Sequence, residues 1–568
     1  MSNNTGAVWT DIVLAKPVKG RFVTVRVKSN WGGNTIAANE VELYAQDAGT
    51  PGAAAAPPTG KAPDANATAV TKPANNMTTQ PTEAVNQVNG QNNVGQTALA
   101  IRVTSPSMNA DIGQNANIAL TAEASAPAAI ARVDFFDDGK LVGSATQAPY
   151  ALSYHSTTAK LNYCITAKVT DVDGHSATSL PVTCVATSKV QRQYTSYDYE
   201  ETSENILKQV RLSIPTGMTT VRGILVVSNP SGGDTRNAFR EAWYGEFFYL
   251  HNFAFLGTKG FDSHVESLQV MQHALAQIAA ESNHPELVNV PYVTTGFSAG
   301  GGFASRLLVE VPHHVIASVP VSSRINFTNH PPSAANLQTP ACIISGEKEA
   351  ILTTSMSSTL ASYRPNNALY GWMTIQNGIH TRSGQEVLAM PLLDTAVRLR
   401  YPADGDVQKG PIVLKPIDPN SGWVADNNTW KNGLTSIMSA NKFHSALTSS
   451  SWLPSEDIAF IYRAYATYDR PLSIASPQPG WSGNRVWDPG SNVTIVVNDA
   501  TFGNWKKLEF FDMAHKLGEL TQGAAQFTAA NLTAGFHVFS VLGTDAQGNV
   551  RTSNPVLVVV RSLPAKSN

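Results

Sequence analysis

The sequence predicts a multidomain chain: a mainly parallel sheet with helices on both faces, flanked by two all-β sandwiches. Three observations carry that expectation. Two stretches far apart in the 568 residues repeat one strand-rich pattern. Between them apolar strand-like runs alternate with helix-period runs, which is how a parallel sheet with crossover helices reads. The chain is also too long for one ordinary core, and length alone suggests about three to five domains.

The elements follow in order. "MSNNTGAVWT" lacks the charged and apolar regions of a signal peptide, so any export signal is expected to lie outside this sequence. "GRFVTVRVKSNWGGNTIAANEVELYAQ" resembles the last strands of a discoidin (coagulation factor type C) module, and residues 1–46 are expected to be the C-terminal remnant of one. Residues 47–98 hold five charges and no aromatic residue among tracts of Ala, Pro, Thr, Asn, Gln and Gly. They cannot bury enough apolar surface to offset ordering and are expected to be a linker spanning about 40 Å.

Two copies of one module follow, at 99–188 and 481–568. "RVDFFDDGKLVGSATQAPY" matches "KLEFFDMAHKLGELTQGAAQF", and "VTDVDGHSATSLPVTCV" matches "GTDAQGNVRTSNPVLVV". Short alternating runs such as "NIALTAEAS" and "NVTIVVNDA", separated by Gly, Asp and Asn turns, read as small β-sandwiches. Both resemble bacterial immunoglobulin-like modules of secreted polysaccharide-acting enzymes, which implies spacers or braces ahead of carbohydrate binders. Cys164 and Cys184 flank the turn "TDVDGH". A hairpin centred near Gly174 would set them face to face within disulfide reach, and such a bridge argues for an oxidising compartment. Two unpaired thiols are the alternative. Cys342, in the apolar run "PACIIS", is expected to be an inert buried thiol.

Composition narrows the function classes. Lys plus Arg is 40 and Asp plus Glu is 42, a net charge of -2, so there is no electrostatic footprint for nucleic acid or an anionic membrane surface. No run approaches the roughly 18 apolar residues of a membrane span. Charged residues are only 14%, with Asn, Thr, Ser, Gly and Ala filling the surface instead, which points to a secreted protein.

Residues 189–480 carry the strand-like runs "GILVVSN", "NFAFLGT", "VPYVTT", "VIASVPV", "PACIISG" and "GWMTIQN". One helix is well marked: Ser263 and Glu266 have the spacing of a capping box, followed by Val265, Leu268, Met271 or Ala274, Leu275 and Ile278 at helical period. That helix leads to "VPYVTTGFSAGGGFASRLL", in which Ser298 sits between Gly296 and Gly300. Gly-x-Ser-x-Gly arises by chance about 0.2 times in a chain of this length and glycine content. Context sharpens it: a strand enters, the glycines allow a sharp turn, and a helix leaves with its dipole aimed at an incoming oxyanion.

On these residues the chain resembles the α/β-hydrolase superfamily over roughly 205–400, and within it secreted bacterial feruloyl esterases, acetylxylan esterases and polyhydroxyalkanoate depolymerases. The resemblance implies a nucleophile, acid and base in that chain order. Ser298 is then the nucleophile. After "PACIISG" comes "EKEAIL", where the family often has Gly-x-x-Asp; the matching position is Glu349, with Glu347 as its rival. After "GWMTIQN" comes "GIHTRSGQE", and His380 sits where the superfamily places its base. His313 and His314, at a helix end, read as surface or capping residues. The oxyanion hole would use the N–H of Ala299 and one from "PSGGDTR", where Gly232 is preferred over Ser231 and Gly233. The His-Gly opening common in lipases is missing.

Residues 401–480 add an excursion with Trp423 and Trp430 and helical runs near "TSIMSANKFHSAL" and "PSEDIAFIYRAYATYD". It could roof the active site, although core packing is the commoner role of a tryptophan. The expected function is an extracellular serine esterase acting through an acyl-enzyme, with no cofactor and no metal. Its expected partners are polymeric or small esters, with polysaccharide a candidate ligand of the accessory modules. A monomer is expected, binding neither nucleic acid nor membrane. Acetyl or feruloyl esters on plant cell-wall polysaccharide lead the substrates, a polyester is the second reading, and a non-catalytic carbohydrate-binding or adhesive protein is the alternative of another class.

Overall fold

The computed structural model describes residues 99–562, except 114–115, 156–160, 188–191, 231–232, 328–330, 383, 479–485 and 499–503. The expected discoidin-like remnant and the whole of the expected linker therefore lie outside the described residues. At the centre is an eight-stranded sheet. Its strands are β1 (Tyr194–Ser203), β2 (Ile206–Pro215), β3 (Gly223–Ser228), β4 (Phe253–Lys259), β5 (Tyr292–Phe297), β6 (Val315–Val321), β7 (Ala341–Gly346) and β8 (Tyr370–Ile375). Their spatial order is β1-β2-β4-β3-β5-β6-β7-β8. The β1–β2 hairpin and the β2–β4 pair are antiparallel, and every other pair is parallel. Strands β3, β5, β6 and β7 are buried along their whole length, which is why they read as continuous apolar runs and not as alternation.

Helices α1 (Ala242–His251), α2 (Val265–Ser282), α3 (Ala299–Glu310), α4 (Ala350–Tyr363) and α5 (Glu386–Arg400) connect or follow the strands. They pair off, α2 with α3 and α1 with α5, and both α3 and α5 pack on β5 and β6, so the sheet is covered on both faces. From β3 the chain crosses to β4 on one side and then to β5 on the other. A reversal of this kind opens a crevice at the carboxyl ends of the strands, the place where open α/β sheets bind ligands. No described helix is long and apolar enough to cross a membrane. The capping box expected at α2 does not form: His264 is the N-cap and contributes no side-chain bond. Asp262 instead braces the entry to the helix, accepting from His264 N at 3.1 Å and from Ser267 Oγ at 2.9 Å. Leu268, Met271, Ala274, Leu275 and Ile278 form the buried face as expected, whereas Val265 is exposed.

The two repeated modules share one architecture. Each pairs a three-stranded sheet with a larger one, and strands Ala100–Ser105, Asn117–Ser125 and Tyr150–His155 of the first match Ile474–Ser476, Val493–Val497 and Gln526–Ala529 of the second, whose first strand thus lies ahead of the start expected at 481. The register shifts at Phe135/Phe136 in one and at Phe510/Phe511 in the other, so even the β-bulge is duplicated. Asp171 Oδ1 accepts from Asp173 N and His175 N, and Asp545 Oδ1 accepts from Gln547 N and Asn549 N in the equivalent turn. The expected disulfide is not there. Tyr163 pairs with Cys184 and Cys164 with Thr183, one residue out of the required register, so the two side chains point to opposite faces. The short strand Ser176–Thr178 pairs in a register one residue off again, which a hairpin centred on Gly174 does not anticipate.

The excursion after α5 packs along the edge of the sheet at β8. Its strands Trp423–Asp426, Ile437–Ser439 and Ser450–Leu453 form a small sheet, and Ser451 Oγ accepts from Trp372 N at 2.9 Å and donates to Trp372 O at 3.0 Å, closing the open edge at β8. Trp430 and Trp452 are buried, Trp430 edge-on to Trp372. "TSIMSANKFHSAL" is a short strand and a single turn, not a helix, while α6 (Glu456–Ala466) forms within "PSEDIAFIYRAYATYD". The last module packs on the central core: Phe536, Val538 and Val559 belong to the same buried cluster as the sheet.

Candidate active site

Strand β5 ends at Phe297 and α3 begins at Ala299, leaving Ser298 alone at the junction with φ 56° and ψ −117°. A non-glycine residue with positive φ is strained, and the surroundings hold it there. Ser298 N donates to Val321 O at 2.9 Å and Gly302 N donates to Ser298 O at 2.9 Å. The flanking glycines are required for close approach. A Cβ on Gly296 would lie 2.4 Å from Gly300 O, and one on Gly300 would lie 2.2 Å from Ser228 O.

The structure brings three sequence-predicted residues into one hydrogen-bonded chain. His380 Nε2 lies 2.8 Å from Ser298 Oγ, and His380 Nδ1 bonds Glu349 Oε1. The other carboxylate oxygen, Glu349 Oε2, accepts from Ser322 Oγ at 3.0 Å and from Gly346 N. Glu349 is thus mostly buried and fully engaged, with its side chain 6% exposed against 51% for His380. The loops bearing acid and base touch: a Cβ on Gly346 would meet Gly378 O at 2.6 Å, and Lys348 N donates to that oxygen at 2.9 Å. The Phe297 ring lies 4.9 Å from the imidazole. Glu347 points elsewhere, its Oε2 accepting from Asn377 N at 3.0 Å and its Oε1 lying 3.3 Å from Lys431 Nζ.

The chemistry this permits is clear. A hydroxyl paired with an imidazole whose other nitrogen is held by a carboxylate is an activatable nucleophile. Ala299 N–H, at the first position of α3, has no partner within the helix, as for any first-turn donor. Gly232 and Ser231 lie outside the described residues. Gly233 closes a turn, its N–H donating to Pro230 O at 2.7 Å, so it is not available as the second donor. Sequence reasoning missed Ser322, which has φ 47° and follows β6; nothing in "PVSSR" marks one serine as the partner of a distant carboxylate.

Other reactive groups are accounted for. Burial pushes the Cys342 thiol up to about 12, so it is inert near neutral pH. Burial lowers the proton affinity of His314, which stacks on Tyr292. Among the described residues the one set with metal-like spacing is Asp171, Asp173 and His175. Its duplicate in the second module has Asn549 bonded to Asp545 where the first has His175, so these contacts serve the turn. A cavity of about 460 Å³, lined by Arg192, Met218, Arg222 and Tyr249 among others, lies at the opposite end of the strands from Ser298.

The family described as bacterial Ig domain (Big_7) matches residues 100–167, within the first repeated module. No curated protein matches the chain. Among solved structures the chain is similar to a dienelactone hydrolase from Anabaena variabilis at 17% identity, over 36% of this chain and 98% of that one, with a TM-score of 0.27. It is similar to the poly(3-hydroxybutyrate) depolymerase LpqC from Bordetella parapertussis at 13% identity, over 39% and 94%, with a TM-score of 0.26. It is also similar to a feruloyl esterase module from Clostridium thermocellum at 10% identity, over 35% and 86%, with a TM-score of 0.27. At identities and scores this low, what carries the site is its own geometry: the bonded line from Ser298 through His380 to Glu349 on a positive-φ elbow.

Proposed function

We propose that the chain is a serine ester hydrolase working through an acyl-enzyme, its secretion resting on the low charged content of 14% and not on a disulfide. The observation that carries this is the unbroken Ser298–His380–Glu349 chain at the crevice end of the sheet. Ser298 Oγ attacks the ester carbonyl carbon as its proton passes to His380 Nε2, and Glu349 stabilises the imidazolium that forms. The N–H groups of Ala299 and Gly232 receive the oxyanion. The tetrahedral species collapses, the bond to the alcohol oxygen breaks, and that oxygen leaves with the proton from Nε2. Water then attacks the acyl carbon, giving its proton to His380, and Ser298 Oγ departs with that proton as the acid is released. No cofactor and no metal take part in this route.

The substrate we name is an acetyl or feruloyl ester on plant cell-wall polysaccharide. His380 is half exposed and its neighbour Ile379 is 56% exposed, so the reacting groups sit at an open surface suited to an ester carried on a chain. The same openness suits a polyester, the second reading. The enzyme would act as a monomer. The test is a panel of nitrophenyl esters of graded acyl length beside acetylated xylan, feruloylated xylan and a polyester film. Release of acetate or ferulate from xylan, lost in Ser298→Ala, is the expected result. Hydrolysis of the film alone selects the polyester reading, and no hydrolysis of any member would leave a non-catalytic binding protein.

A further inference from the structure

Given that reading of Ser298, His380 and Glu349, the loop carrying His380 must hold an imidazole on two partners while open to solvent. Its incoming leg is pinned by backbone bonds from Glu347 N to Ile375 O at 3.0 Å and from Lys348 N to Gly378 O at 2.9 Å. On the outgoing leg Thr381 is exposed, and the first mostly buried side chain is Arg382, 16% exposed. Its Nη2 donates to Glu386 Oε1 at 2.6 Å and lies 3.5 Å from Tyr244 Oη and 3.8 Å from Glu241 Oε2. Glu386 is the first residue of α5 and also accepts from Gln385 Nε2 at 3.0 Å; Tyr244 is buried on α1. Burial raises the proton affinity of Glu241, against the pull of Arg382, and Glu241 Oε2 makes no hydrogen bond. The carboxylate that hydrogen-bonds Arg382 is therefore Glu386, with Glu241 beside it at 3.8 Å.

A guanidinium buried between two carboxylates is a poor way to gain stability, because desolvation offsets the attraction. It does fix geometry. We propose that Arg382 is a positioning residue: clamped between Glu386 on α5 and Tyr244 on α1, it anchors the outgoing leg of the loop and keeps His380 aligned with Ser298 and Glu349. A misplacement of about 1 Å in such an arrangement costs about 100-fold in rate.

The test compares Arg382→Met, Arg382→Lys and Glu386→Gln with the full chain, each corrected for its folded fraction by thermal melting. The readouts are kcat and KM on a soluble nitrophenyl ester, the pH profile of kcat/KM, and the rate at which a fluorophosphonate labels Ser298. Arg382→Met should lower kcat and labelling about 10- to 100-fold, with KM changed less than about threefold and the histidine inflection displaced. Arg382→Lys should recover part of the loss, and Glu386→Gln should fall in the same direction. Wild-type labelling and kcat in folded Arg382→Met would overturn the proposal; if that variant does not fold, unchanged kcat in Arg382→Lys and Glu386→Gln would do the same. A wild-type protein that is not labelled at all overturns the reading of the site itself, a different outcome from labelled wild type with indifferent variants.

Discussion

Ser298, the proposed nucleophile, sits in a strained backbone conformation. A residue held at φ 56° and ψ −117° costs about 1–3 kcal/mol, and the cost falls on the backbone, not on the hydroxyl. Ser298→Ala keeps that strain and Ser298→Gly relieves it. Both should lose ester turnover by several orders of magnitude, but the glycine variant should melt above the alanine variant. Equal melting temperatures would show that the elbow is relaxed. The two glutamates separate in the same way. Glu349 bonds the imidazole while Glu347 bonds Asn377 N and Lys431, so Glu349→Gln should lower kcat by about 10²- to 10⁴-fold and Glu347→Gln should stay within a few-fold of wild type. The reverse order in steady-state kinetics would give the acid's role to Glu347.

At the scale of the element, strand Gly535–Asp545 of the last module carries a histidine with a pH consequence. Burial disfavours the charged form of His537, but Asp512 Oδ2 at 2.6 Å from Nδ1 and Thr533 O at 2.9 Å from Nε2 outweigh it, so its pKa is raised. A raised folded pKa gives stability that is fully present below the unfolded value of about 6.5 and is lost as pH climbs through the folded value. Melting temperature should therefore fall on that climb, and His537→Gln should flatten the fall; an unchanged slope in the variant would exclude this residue. Elements of this size were unevenly legible in the sequence. The elbow read correctly because glycines, an apolar strand and a helix are local signals, and Glu349 and His380 followed from their places after β7 and β8. The α2 capping box and the Cys164–Cys184 bridge did not form, since the first depends on which of several polar residues reaches the free N–H groups and the second on a one-residue register. Ser322 was invisible because its partner Glu349 lies 27 residues on, and Arg382 because its neighbour Tyr244 on α1 lies 138 residues back, a contact no local pattern marks.

At the scale of the molecule, the two repeated modules are not separate beads. Asn109 of the first, 1% exposed, donates through Nδ2 to Thr494 O at 2.9 Å and accepts from Thr494 N at 3.1 Å, so its amide pairs with that strand as a backbone would. Thr183 and Thr494 bond through their hydroxyls at 2.9 Å, and Val185 enters the buried cluster of the second module. That module in turn places Phe536 6.3 Å from Phe247 of α1, and Ser562 N donates to Glu246 Oε2 at 2.9 Å. The chain runs from first module to sheet to second module in sequence, yet the first reaches the second directly, and contacts of this kind couple domains more firmly than a linker does. Removing 481–568 should lower the melting temperature most, because it uncovers Phe247 and strips Phe536, Val538 and Val559 from the core. A chain beginning at 189 should melt below one beginning at 99, because Thr494 N and O lose the amide that satisfies them. A chain beginning at 99 should match the full sequence in melting temperature and in hydrolysis of a small soluble ester, since it keeps all these contacts. Identical melting of the chains beginning at 99 and at 189 would make the Asn109 contact idle and reduce the first module to a passenger.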